Sequence, residues 1–160
     1  MKSFVKYGIA LGLTACATGL AYAQMKPEAA IRARQSIMRV MALNFGPVSQ
    51  MAQGKAAFNK DVFTADALRL ESVWAMNVGR FFPAGSDKPV EGSKIAAFTR
   101  AKPEIWSQPD KFKQAQEGLT QALGKLAAAA KSGDEAAMKT AAGGVGKACK
   151  ACHDDFQAKE

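Results

Sequence analysis

The reactive chemistry of this chain is concentrated in five positions. The stretch "KACKACHDD", residues 147–155, holds Cys149, Cys152 and His153, and the whole 160-residue sequence has one histidine and three cysteines. A structural zinc site takes four ligands, and apart from Cys16 near the start there is no further Cys or His to complete one. A redox dithiol of thioredoxin type belongs in a βαβ setting, and the patterning of this chain is helical. A disulfide across so few residues would remove little chain entropy. The spacing C-x-x-C-H is that of covalent haem attachment. Cysteines three apart share one helix face, where each can form a thioether with a vinyl group of the same porphyrin. His153, next in line, reaches the iron through a ring nitrogen as the axial ligand.

Such a turn has to be held by the elements around it. The chain is rich in Ala, Gln, Lys, Leu and Met, which lose little on entering a helix, and strand-like alternation is absent. The first helix opens at Lys26-Pro27-Glu28, with proline at the first helical position and an acid in the first turn. Its apolar residues Ile31, Met38, Met41, Phe45 and Val48 fall on one face, and Pro47 is expected to kink or divide it. After the loop "GKAAFNKD", a second helix is expected from Thr64 to Phe82, with Ala67, Leu70, Trp74, Val78 and Phe81 on one side and Pro83 as its stop. A long crossover follows to Gln108, with a short helical turn expected at "KIAAFTR". Loops this long usually have a function. Ser107 is expected to cap a third helix that carries Phe112, Leu119, Leu123, Leu126 and Ala130. The turn "KSGDEAA" then leads to a fourth, from Asp134 to Lys159. On it Val145, Cys149, Cys152 and Phe156 step by 4, 3 and 4, so the apolar stripe and the haem face coincide. Four helices of similar length predict an all-α, antiparallel up-down four-helix bundle with a covalently bound haem c.

The first residues set the compartment. Met1, Lys2 and Lys6 precede the apolar run "YGIALGLTACATGLAYA", which ends in Ala21-Tyr22-Ala23, so residues 1–23 read as a secretory signal peptide and 24–160 as one haem domain. The rival is a lipoprotein signal in which Cys16 becomes the lipidated first residue. No other stretch approaches the length of a membrane span. The formal net charge is +8, and it falls by two when Lys2 and Lys6 leave with the leader. The lysines are scattered and not interleaved with exposed aromatics, which argues against nucleic acid. Lys147 and Lys150 flank the haem turn, where they could steer an acidic redox protein. No acid–base pair or activated nucleophile is present in a recognisable pattern, so the chain does not read as an enzyme.

A CxxCH on the last helix of a four-helix bundle, "RQSIM" at Arg34 to Met38, "KPEIWS" at Lys102 to Ser107 and a signal peptide together resemble the cytochrome c′ family, over essentially the whole mature chain. The resemblance implies a periplasmic haem c protein, one haem per chain through Cys149 and Cys152. It implies a homodimer paired through the first two helices and a five-coordinate, high-spin iron on His153. It also implies that NO and CO bind while O2 is discriminated against. By the same resemblance Met38 stands at the distal position with Val78 and Phe81 beside it, Arg34 and Gln35 face a haem propionate and Trp106 is the loop tryptophan; Phe156, on the apolar stripe of the last helix, is expected to be core packing against the ring. Two positions depart from the family's pattern: Gln157 stands where a basic residue is frequent, and Met38 where many relatives carry a hydrocarbon side chain. The low-spin branch similar to cytochrome c-556 uses a methionine at this place as sixth iron ligand. An electron-transfer protein with Met38 on the iron is therefore the alternative.

Overall fold

The computed structural model describes residues 25–93 and 98–159. The signal peptide expected at 1–23 and the alternative lipid site at Cys16 lie outside the described residues. So does most of the turn expected at "KIAAFTR"; its described part, Phe98 to Arg100, is not helical. The elements are α1 (Pro27–Ala52), α2 (Lys60–Trp74), a 3-10 turn (Val78–Phe81), a short α3 (Glu104–Ser107), α4 (Pro109–Ser132) and α5 (Glu135–Phe156).

The helix boundaries follow local chemistry, and several differ from the periodic pattern. α1 passes through Pro47 undivided. The carbonyl that loses its intrahelical donor there belongs to Leu43, on a face open enough that its side chain is 69% exposed, so water can replace the missing bond. α2 starts earlier than Thr64 because the Asn59 side chain accepts from the Val62 amide at 3.0 Å and caps the helix. It also stops well before Phe82. Asn77 adopts a left-handed conformation, φ 56°, which a right-handed helix cannot pass. The 3-10 turn that follows still returns Val78 and Phe81 to the core. Ser107 caps nothing: it is the last residue of α3, and its amide donates to Pro103. α4 begins behind Gln108 with Pro109 in its first turn and without a side-chain cap. The Asp134 carboxylate caps α5 by accepting from the amides of Ala136 and Ala137 at 2.9 and 3.1 Å. That helix ends at Phe156 rather than Lys159, because Gln157 turns extended (φ −120°, ψ 128°).

The long helices close a ring in which α1 packs on α2, α2 on α4, α4 on α5 and α5 on α1. Their directions are fixed by what meets at each end. At one end Arg34, near the start of α1, bonds Phe81 and Ser86 just beyond α2. There too the rings of Phe82, Phe112 at the start of α4 and Phe156 at the end of α5 stack edge to face, with centroids 5.0 and 5.1 Å apart. At the other end Phe58 packs on Phe63 of early α2, and Lys139 of early α5 lies over the Phe58 ring. Each helix is therefore antiparallel to its neighbours, the up-down bundle expected. Ile31, Val48, Phe63, Leu70, Leu123, Leu126, Met138 and Val145 are fully buried between them.

Replacing Asp134 by Ala should cost about 1 kcal/mol through the lost cap, whereas Leu126→Ala should cost about 2–5 kcal/mol through the cavity it leaves. Urea unfolding of the haem-loaded protein followed by circular dichroism measures both.

Candidate functional site

Toward the crossover end the core opens into a cavity of about 430 Å³ to which all four long helices contribute. From α1 it receives Arg34, Gln35, Met38, Met41, Ala42 and Phe45, which follow one helix face upward. Leu70 and Trp74 come from α2 and Val78 from the 3-10 turn; α4 adds Phe112, Gln116 and Leu119. The opposite wall is α5, with Val145, Cys149, Cys152, His153 and Phe156. The stripe foreseen on the last helix is thus the stripe that faces the cavity.

Cys149 and Cys152 are free and half-buried. Burial pushes the Cys149 thiol up, and it pushes Cys152 up to about 11, with Cys149 and Asp155 adding to the effect. Both are neutral thiols at physiological pH. His153 is shifted the other way. Burial first, then the charge of Arg100, holds its imidazole below the ordinary range against the pull of Asp154. The ring is neutral at pH 7, the form that binds a metal.

The cavity has one polar corner, and Arg34 dominates it. Only 4% exposed, its guanidinium donates to the Phe81 carbonyl at 3.2 Å, to Ser86 Oγ at 2.7 Å, to the Ser86 carbonyl and to Thr99 Oγ1 at 2.7 Å. Its Cζ lies 4.8 Å from the centroid of the Phe82 ring. No carboxylate is in salt-bridge range of it among the described residues. Burial draws its pKa down to about 10, opposed by Asp87, which leaves it charged. Gln35 beside it donates to the Phe98 carbonyl at 2.6 Å. The donor set suits a covalently held porphyrin: two thiols and an imidazole on one wall, apolar side chains around them, and cationic and amide donors at one edge for carboxylates.

Of the site residues expected from sequence, the structure brings together Arg34, Gln35, Met38, Val78, Cys149, Cys152, His153 and Phe156. Phe81 is the exception. It packs into the core, and Phe82 lines the cavity in its place, because the break at Asn77 rotates the residues that follow it. Trp106 is not on the wall; its indole donates to the Phe82 carbonyl at 3.1 Å and so fixes the residue that is. Phe98 to Ala101 and Ile105 also line the cavity. They lie in or next to the crossover, where no periodicity could assign them to a face. Phe112 and Leu119 were visible as members of the third helix's stripe.

Comparison with known proteins follows the same outline. The model of the family described as Cytochrome C' matches residues 29–157. Cytochrome c' of Rubrivivax gelatinosus is 40% identical over 134 residues, 84% of this chain and 98% of the relative. The crystal structure of cytochrome c' from Thermochromatium tepidum superposes with a TM-score of 0.77 at 34% identity, covering 86% of this chain and all of that one. A nitric oxide complex of a mutant of the Alcaligenes xylosoxidans protein does so with a TM-score of 0.70 at 36% identity, covering 84% and 98%.

Arg34→Met should destabilise the holoprotein by about 2–4 kcal/mol, since several buried acceptors lose a charged donor together. The loss should be local first: hydrogen exchange in residues 82–93 and 98–103 should accelerate more than in α4.

Proposed function

The chain belongs to the cytochrome c′ family, whose members bind haem c, and on that premise we propose that it is an exported, periplasmic haem c protein whose iron keeps one position open for NO or CO. Cys149 and Cys152 would hold the haem covalently, His153 would ligate its iron, and Arg34 and Gln35 would serve its carboxylates. When bound, the haem supplies an iron that takes up a diatomic gas and can exchange an electron.

The observation that carries the reading is the placement of Met38 on α1 and His153 on α5 around one cavity, with Val78, Leu70 and Phe82 completing apolar walls. Met38 is half-buried, packs against the core and lines the cavity, so its thioether takes up space there. Met41, Phe45, Leu70 and Val78, which line the cavity with it, carry no hydrogen-bond donor in their side chains. Bound O2 gains from a distal donor and NO needs one far less, so a pocket of this lining favours NO and CO. The nitric oxide complex among the similar structures supports the same ligand. Export rests on the leader at residues 1–23, and among the described residues no helix is long and apolar enough to cross a membrane. We also read the protein as a homodimer through α1 and α2, where Val40, Leu43 and Val62 are large apolar residues open to solvent. A small acidic redox protein is the partner that the basic balance suits.

The absorption spectrum of the reduced holoprotein tests the iron site. A broad high-spin spectrum that sharpens promptly with CO is expected, and Met38→Ala should speed CO binding by widening the pocket. A low-spin spectrum unmoved by CO would instead make Met38 the sixth ligand and the protein an electron carrier. Leu43→Glu should shift the sedimentation coefficient from dimer to monomer without changing that spectrum.

A further inference from the structure

At its end α5 is stapled to the crossover. Gln157 is extended, the Ala158 amide donates to the Arg100 carbonyl at 2.8 Å, and the Lys102 amide donates to the Phe156 carbonyl at 3.0 Å. Between these bonds Ala101 and Gln157 form an antiparallel bridge, the only β-type pairing among the described residues. The pairing sets Arg100 against the last turn of the helix that carries His153. Arg100 and His153 then line two cavities at once. One is the large cavity with the thiols; the other, of about 310 Å³, is completed by Asp154, Gln157, Ala158 and Lys159. The two residues are part of the wall between them.

The charges nearby make this placement matter. Asp154 is held by Lys150, and Asp155 by Lys111 at 3.1 Å, so neither carboxylate stands alone beside the ring. Gln157, four residues after His153 and just past the end of α5, is neutral. Arg100 shares the cavity lining with His153 from a different element, the crossover.

We propose that Arg100 is a positioning residue for the iron centre: delivered by the pairing of 100–102 with 156–158, its guanidinium sets the electrostatic field on the His153 side of the haem and raises the reduction potential. Oxidised iron carries one more positive charge than reduced iron, so a fixed cation at short range disfavours the oxidised state more. The staple uses only backbone atoms of Arg100, so side-chain variants keep it. The proposal rests on His153 as the axial ligand.

The test is the midpoint potential of the haem-loaded full chain by spectroelectrochemistry, for the parent, Arg100→Lys, Arg100→Gln and the double variant Arg100→Gln/Gln157→Lys. Arg100→Gln should move the ferric-to-ferrous ratio at fixed potential three- to tenfold toward ferric, about 30–60 mV lower at about 59 mV per decade for one electron. Arg100→Lys should keep most of the parent value, the double variant should recover part of it, and added salt should shrink the differences. Equal potentials in all four proteins, or the same shift in Arg100→Lys as in Arg100→Gln, would overturn the proposal. The iron–histidine stretching band of the reduced Met38→Ala protein, in which no thioether can fill the sixth position, is read by resonance Raman and tests the premise separately: its absence would remove His153 as ligand whatever the potentials do.

Discussion

A charged guanidinium cannot be buried unless nearly all its donors find acceptors, and that constraint on Arg34 organises the open end of this bundle. One side chain of α1 is bonded to the residue that ends the 3-10 turn, to both polar groups of Ser86 and to Thr99. Those acceptors are spread from residue 81 to residue 99, so satisfying Arg34 holds both described parts of the crossover against α1. The Ser93 hydroxyl on Glu28 and the Phe98 carbonyl on Gln35 extend the same seam along α1. Without this seam the cavity would be a cleft between helix ends. With it, the cavity has a polar rim and an apolar interior.

The two ends of the bundle solve different problems. Around Phe58, Phe63 and Met138 the side chains fill the space between the helices. At the crossover end the apolar residues line a space that they do not fill, and the thiols and imidazole of α5 face into it. A protein interior is normally packed to crystal-like density, so a cavity of this size lined by Met, Leu, Val and Phe costs stability unless a large apolar group completes it. The haem therefore belongs to the core as much as to the function.

The sequence made the bundle legible because helices announce themselves through periodic apolar positions, and the α5 stripe through Val145, Cys149, Cys152 and Phe156 appeared where the structure has it. Its limits were local. Asn77 reads as an ordinary polar helix residue, yet its left-handed backbone ends α2 and decides that Phe82, not Phe81, reaches the cavity. Ser107 looked like a cap because it stands just ahead of Pro109 and Asp110, but it is the last residue of an additional helical turn, Glu104–Ser107, and Gln108 is the residue that flanks α4. The contribution of Thr99, Arg100 and Ile105 was hidden for a more general reason. Crossover residues are placed by long-range hydrogen bonds to Arg34 and to the end of α5, and such bonds leave no repeat in the sequence.

The staple between residues 100–102 and 156–158 also orders events in time. Synthesis delivers the crossover more than fifty residues before its partner, so it cannot be fastened until α5 has followed. Until then residues 100–102 have no partner on α5, and the part of the cavity wall that Arg100 and Ala101 contribute is not tied down. The backbone bridge at Ala101 and Gln157 is thus a tie that residues near the end of the sequence make with the crossover.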